Sequence, residues 1–144
     1  MKKFIQLCSF VFLSVTLWLG YLQVGFAQTA IVVHPSNDVT LTKKQISRIF
    51  LGKLRRFPGG GKALAVNLTE DNDIRIDFDR KILKKSPAQM KSYWAMQQFT
   101  GKGVPPASAT DAESVKALVS DNANMIGYID ETEVDDRVRV IFSF

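Results

Sequence analysis

Two short apolar runs, AIVV at 30–33 and ALAVNL at 63–68, show no regular alternation of apolar and polar residues. A strand with one face in water alternates in this way, whereas a strand covered on both faces reads as a continuous apolar run. Pro35 stops the first run, as expected at the end of a strand. Both runs are therefore predicted to be strands in a sheet that has helices on both faces.

Three segments begin with a capping box, in which Ser or Thr is followed three residues later by Glu or Gln. The boxes start at Thr42, Ser86 and Thr110, and each predicts a helix. A further helix is predicted from Asn72, because apolar residues recur after it at helical spacing. Within the helix that Ser86 starts, three aromatic residues are predicted to form a core stripe: Tyr93, Trp94 and Phe99.

The chain closes with two more predicted strands, MIGYI at 125–129 and RVRVIF at 137–142, the latter alternating apolar and polar positions. The segment GKGVPPASAT at 101–110 is predicted to be a loop, because consecutive prolines block a helix. The predicted order β-α-β-α-α-α-β-β indicates an α/β fold with three layers, a mixed sheet flanked by helices.

The first 27 residues have the composition of an export signal. Two lysines precede an uncharged run that is rich in Phe, Leu and Val, and Gly25 and Ala27 suit a cleavage site. We predict a Sec-type signal peptide at 1–27, removed before Gln28, and a periplasmic location for the domain at 28–144. The apolar run is also long enough to cross a bilayer, so an uncleaved inner-membrane anchor is the alternative.

Composition excludes several kinds of site. The only cysteine, Cys8, lies in the leader, and His34 is the only histidine, so cysteine-ligated and multi-histidine metal sites are excluded. No serine or carboxylate pair stands in a recognisable catalytic motif, so we expect no enzyme and no cofactor. The leader removes two of the 19 basic residues and none of the 14 acidic ones, which lowers the formal charge from +5 to +3. This charge is too modest to indicate nucleic acid as a partner.

Basic residues are concentrated in one stretch that contains no acid. This stretch either forms a solvated helix face or orients a docking surface for a partner. Its members are Lys43, Lys44, Arg48, Lys53, Arg55, Arg56 and Lys62.

Four segments follow one another in an order typical of one protein family: LTKKQISRIFLGKLRRFPGGGKALAVNL, FDRKIL, YWAMQQFTGKGVPP and IGYID. Over about 31–140 the series resembles the periplasmic phosphate-binding-protein-like domains of phosphate ABC transporters. The resemblance implies a type II periplasmic-binding-protein fold, in which two lobes close on a ligand. Residues 28–144 suffice for about one lobe, so a short, single-lobe relative is expected.

Full-length phosphate binders of this family carry an Arg-Ser-x-Gly-Ser-Gly-Thr turn after the second strand, which cradles the oxyanion. Aligned on Phe78, the resemblance sets Leu68 at the arginine and Thr69 at the serine. The Gly-Ser-Gly and threonine positions fall on Asp71, Asn72, Asp73 and Ile74.

The acidic residues of this turn argue against a tight glycine cradle for phosphate. Carboxylates at a helix N-terminus repel an anion, and a capping side chain occupies the N–H groups that an anion needs. The turn is interpreted as a helix cap with favourable dipole charges. A cation site built from Glu70, Asp71 and Asp73 is an alternative, although the spacing of a Ca²⁺ loop is missing.

The resemblance nevertheless implies a ligand cleft at the ends of the strands. The predicted ligand-binding residues are Thr69, Asn72 and Arg75, with Ser36 and Asn37 opposite them. Arg75 is the candidate cation, and His34 to Asn37 follow the first strand, where open α/β sheets bind ligands.

The leading hypothesis is an exported, non-enzymatic domain similar to the substrate-binding proteins of phosphate ABC transporters, which binds phosphate or another small anion weakly. The alternative is an accessory or sensor module of the cell envelope that keeps the fold without the phosphate cradle. Such a module has an envelope protein or a second copy of the chain as its partner. A membrane is a partner only if the signal is uncleaved.

Overall fold

The computed structural model describes residues 27–144, so the predicted signal peptide lies outside the described residues except for Ala27. The strands are β1 (Thr29–Val33), β2 (Leu64–Leu68), β3 (Ala107–Ala109), β4 (Met125–Asp130) and β5 (Arg139–Ser143). The α-helices are α1 (Lys43–Phe50), α2 (Asp73–Phe78), α3 (Pro87–Phe99) and α4 (Ala112–Asp121). A π-helical turn, Asp79–Leu83, continues α2, and a 3-10 turn, Glu131–Glu133, follows β4.

The five strands form one mixed sheet in the order β3-β2-β4-β1-β5. Strand β2 runs parallel to both β3 and β4, whereas β1 runs antiparallel to β4 and to β5. The C-terminal ends of β1 and β2 therefore lie at opposite ends of the strands of the sheet. Val33 pairs with Ile126 near the start of β4, which is also where β2 begins.

Two neighbouring residues of β4 show how the sheet separates two helical layers. Gly127 faces α4 so closely that an added Cβ would lie 2.6 Å from Cγ1 of Val115. Tyr128 points to the other face, where its ring stacks on Phe78 at 4.0 Å between centroids and approaches Phe50 at 5.6 Å. The sheet thus lies between α4 on one side and α1 with α2 on the other, which confirms the predicted three-layer α/β architecture.

Local signals located most helix starts. The capping boxes of Thr42 with Gln45 and of Ser86 with Gln89 are both present. The box predicted from Thr110 is wrong, because Asp111 is the N-cap of α4 and accepts a hydrogen bond from the N–H of Ser114. A carboxylate one residue later in the chain takes the capping position, and it is a preferred N-cap group.

Three further expectations are corrected by the structure. The predicted loop at 101–110 contains β3, whose three residues pair with β2. Phe99 is not in the core, since 93% of its surface is exposed. The predicted alternation in the last strand fails at Val140, which is exposed because a bulge shifts the pairing of β5 with β1 between Ile31 and Val32.

Over residues 27–144, no helix combines the length and the apolar character that a membrane crossing requires.

Candidate functional site

The acidic turn after β2 is held by hydrogen bonds between its own residues. The N–H of Asn72 donates to the carbonyl of Thr69 at 3.1 Å, and the side-chain oxygen of Asn72 accepts from the N–H of Ile74 at 2.9 Å. Asn72 is the N-cap of α2, while Glu70 and Asp71 are exposed. One of the N–H groups that the resemblance would give to an anion is therefore occupied by the Asn72 amide.

Arg75 is buried beside that turn. The residue is 6% exposed, its Nε lies 2.8 Å from Oδ2 of Asp79, and its Nη1 donates to the carbonyl of Leu68 at 2.8 Å. The carbonyl of Leu68 ends β2, so the guanidinium ties the strand to the helix that follows it. Its remaining nitrogen, Nη2, donates to none of the described residues.

A cavity of about 350 Å³ lies beside this guanidinium, between α3 and the ends of β2 and β3. Its apolar wall includes Met90, Trp94, Pro105 and Pro106. Its polar wall includes Asn67, Glu70, Arg75, Asp79, Lys91 and Ser108. We call this space the Arg75 cavity.

Asn67 is oriented by a tyrosine from the neighbouring strand. The hydroxyl of Tyr128 donates to Oδ1 of Asn67 at 3.3 Å and accepts from the N–H of Leu68 at 3.3 Å. Burial raises the pKa of Tyr128, so its hydroxyl keeps the proton. With Oδ1 occupied, Nδ2 of Asn67 is left as a donor that no other described residue uses, on a side chain that is 3% exposed overall.

Asp79 is the buried carboxylate of the cavity wall. Its pKa is raised, chiefly because burial disfavours the carboxylate, and Arg75 opposes the shift while Glu70 adds to it. Oδ1 of Asp79 and Nε1 of Trp94 are sealed from solvent and have no hydrogen-bond partner among the described residues. Leaving such a group unpaired costs about 1–3 kcal/mol.

The structure does not bring Ser36 and Asn37 to this cavity. They line a separate depression with Phe57 and Asn124, where Nδ2 of Asn37 donates to the carbonyl of Ala123 at 3.2 Å. The reason is strand direction: β1 is antiparallel to β4, so the segment after β1 emerges at the edge opposite to Arg75. The predicted five-residue cleft is therefore not one site, and a ligand role for each of the five residues stays a prediction.

Sequence reasoning found Arg75 and missed three of its neighbours, Asn67, Asp79 and Trp94. Asn67 had a readable signal, because it is a polar residue inside the apolar run at 63–68. Buried polar residues require a partner, and that requirement singles them out. Among residues 27–144, no group of three or more His, Cys, Asp or Glu side chains is arranged to hold a metal ion.

No model of a known protein family matches the chain, and no curated protein is similar to it in sequence. Solved structures do match. A structure from Clostridium perfringens assigned to the phosphate ABC transporter substrate-binding proteins, with bound phosphate, has a TM-score of 0.61 at 24% identity. It is matched over 80% of this chain and 45% of its own. The fold is that of one lobe of a type II periplasmic binding protein.

Two further structures support the assignment of the lobe. An ABC-type phosphate transport receptor from Vibrio cholerae matches with a TM-score of 0.53 at 21% identity, over 80% of this chain and 46% of its own. PstS from Borrelia burgdorferi matches with a TM-score of 0.56 at 16% identity, over 80% and 47% of the two chains. The chain thus spans about half the length of these proteins, and the resemblance read from its sequence is confirmed for the fold.

Proposed function

We propose that this chain is an exported, non-enzymatic solute-binding domain that takes a small anion in the Arg75 cavity. The observation that carries the proposal is the pair of unused donors in the wall, Nδ2 of Asn67 and Nη2 of Arg75, on side chains that are more than nine-tenths buried. Donors held in a low-dielectric wall bind an oxyanion more strongly than the same groups in water. The three phosphate-type structures share the fold and support the same class of ligand.

Asp79 does not oppose this binding mode directly. Its Oδ2 is paired with Arg75, and its Oδ1 is sealed from solvent. Lys91 adds a second, exposed cation to the cavity wall, while Glu70 adds an exposed carboxylate. With charges of both signs in the wall and one side open, we expect weak binding rather than the tight hold of two closed lobes.

Equilibrium dialysis of radiolabelled phosphate against the full-length chain tests the proposal, with sulfate and Mg²⁺ as competitors. Asn67→Leu removes the amide donor at similar volume, and Arg75→Lys keeps the charge but removes the planar fork. A hydrogen bond to a charged group contributes about 1.5–3 kcal/mol, so each change should weaken binding by about tenfold or more.

Lys44→Ala is the matched control, because Lys44 is exposed on α1 and is not among the residues that line the Arg75 cavity. Circular dichroism shows whether each variant remains folded. Saturable binding that both cavity variants weaken and the control preserves supports the proposal. Absence of saturable binding up to millimolar phosphate and sulfate, or binding that both cavity variants leave unchanged, contradicts it.

The exported state is a separate part of the proposal and has its own test. Edman sequencing of the protein recovered from an expressing bacterium should begin at Gln28 if the leader is cleaved as expected. Recovery of an intact N-terminus in the membrane fraction would favour the anchored alternative.

A second candidate function, an envelope interaction module, is favoured by one specific feature. An apolar groove lies next to the Arg75 cavity, and its lining includes exposed Leu64 and Val104.

A further inference from the structure

The two prolines that border the Arg75 cavity also border a second depression. This depression has a volume of about 360 Å³ and a predominantly apolar lining that includes Ile49, Leu64, Trp94, Val104, Pro105 and Met125. We call it the Leu64 groove. Leu64 and Val104, which both line the groove, remain 43% and 74% exposed.

The groove exists because the sheet edge is incomplete at this point. Strand β3 pairs with β2 only from Val66 to Leu68, while Leu64 and Ala65 pair with β4 on their other side. Continuing the parallel register would place Pro105 and Pro106 opposite Leu64 and Ala65. Proline has no N–H to donate, so β3 cannot extend to cover the start of β2.

Three exposed cations, Lys53, Arg55 and Lys62, lie near residues of the groove lining, and we call them the rim. Lys53 follows Gly52 and Lys62 precedes Ala63 in the chain, and both of these small residues line the groove. On the far side, the guanidinium of Arg55 donates to the carbonyl of Lys102, two residues before Val104. Among the described residues, no basic residue of the stretch 43–62 forms a salt bridge. The positive charge of this rim is therefore not neutralised within the lobe.

We propose that the Leu64 groove binds a segment of a partner protein that carries an aliphatic side chain flanked by carboxylates. The floor accommodates the aliphatic group, and the three cations of the rim attract the flanking acids. A second copy of this chain is a poor occupant, because a two-fold interface would place the same basic rims against each other. The floor is concave and partly formed by buried Ile49 and Trp94, which suits a peptide better than a flat bilayer.

The probe is a fluorescein-labelled peptide with a leucine-valine-leucine centre and acidic residues on both sides. Its counterpart has the same centre with lysines on both sides. Fluorescence anisotropy with the purified full-length chain should show saturable binding of the acidic peptide, at least about tenfold tighter than the basic one. The affinity should fall as the salt concentration rises, because exposed charges are screened.

Three variants locate the binding surface. Leu64→Asp puts a carboxylate on the floor, and Lys62→Glu reverses one charge of the rim; both residues are exposed, so the fold should tolerate the changes. Each should weaken binding of the acidic peptide by about fivefold or more. Arg80→Glu is the matched control, because Arg80 is exposed after α2 and lines neither the groove nor the cavity.

Equal affinity for the two peptides, or binding that survives Leu64→Asp, would overturn the proposal. The proposal would also be overturned if no acidic peptide bound and if Leu64→Asp abolished either sedimentation with phosphatidylglycerol vesicles or dimerisation in analytical ultracentrifugation. Leu64→Asp should still bind phosphate, because Leu64 does not line the Arg75 cavity. This variant therefore distinguishes a failure of this inference from a failure of the solute-binding proposal.

Discussion

Nε of Arg75 lies 2.8 Å from Oδ2 of Asp79, one helical turn later, and both side chains are less than a tenth exposed. The pair joins α2 to the π-helical turn, and the same guanidinium holds the last carbonyl of β2. Arg75 thus performs a structural task and still lines the cavity with its remaining nitrogen. The two roles can be separated experimentally, because stability responds to the loss of the pair and binding responds to the shape of the cation.

Arg75→Ala should destabilise the lobe strongly at neutral pH. It leaves Asp79 buried without a counter-charge, and breaking a buried ion pair from one side costs about 3–5 kcal/mol. Urea unfolding followed by circular dichroism measures the change. Lys81→Ala is the control, because it breaks an exposed pair with Asp77 of the same i,i+4 spacing and should cost less than about 1 kcal/mol. Similar losses in the two variants would contradict the prediction.

Asp79 should make stability depend on pH in a defined direction. Its pKa in the folded lobe is raised above the ordinary value of 3.8, so the folded state binds the proton more tightly than the unfolded chain does. The stability that the raised pKa of Asp79 contributes is fully present below pH 3.8 and is lost as the pH rises through the folded-state pKa. The free energy of unfolding of the wild type, minus that of Asp79→Asn, should therefore decrease as the pH rises. An increase would mean that attraction to Arg75 outweighs desolvation.

Tyr128→Phe should lower the free energy of unfolding by about 1–3 kcal/mol, although it removes a single oxygen. The change leaves the N–H of Leu68 and Oδ1 of Asn67 without their partner in a buried place. It should also weaken anion binding, because the Asn67 amide loses the contact that orients it. Thermal unfolding and phosphate dialysis measure the two effects. Tyr93→Phe is a useful comparison, since its hydroxyl donates to a single carbonyl, that of Leu51, in a partly exposed place.

Gly127→Ala should destabilise the contact between the sheet and α4. Its Cβ would lie 2.6 Å from Cγ1 of Val115 and 3.0 Å from Cγ1 of Val66, so the strand or the helix must move. Such overpacking costs about 1–3 kcal/mol. Gly61→Ala is the matched control, because the nearest atom to its Cβ would be Oδ1 of Asn124 at 3.7 Å. A chemical denaturation midpoint for Gly127→Ala within error of the Gly61→Ala value would refute this reading of the packing.

The parts of the fold that were predicted correctly depend on neighbours in the chain. The capping boxes at Thr42 and Ser86 are formed within four residues, so the sequence specifies them directly. Phe99 shows the limit of the same reasoning. It comes five residues after Trp94, which is about 140° around the helix, so it lies off the face of α3 that carries the buried Met90 and Trp94. Periodicity predicts a face, and the neighbouring elements decide how far that face is covered.

The sequence by itself determined most helix starts, the two buried strands, the lack of cysteine after position 8 and Arg75 as the candidate cation. Only the tertiary structure decided that β1 runs against β4, which separates Ser36 and Asn37 from Arg75. It also decided that the segment after the two prolines joins β2 as β3, and that Asn67, Asp79 and Trp94 share one cavity with Arg75. Capping and burial patterns depend on residues that are close together in the sequence. Strand direction and the sharing of a cavity depend on pairings between distant segments, which no local pattern specifies.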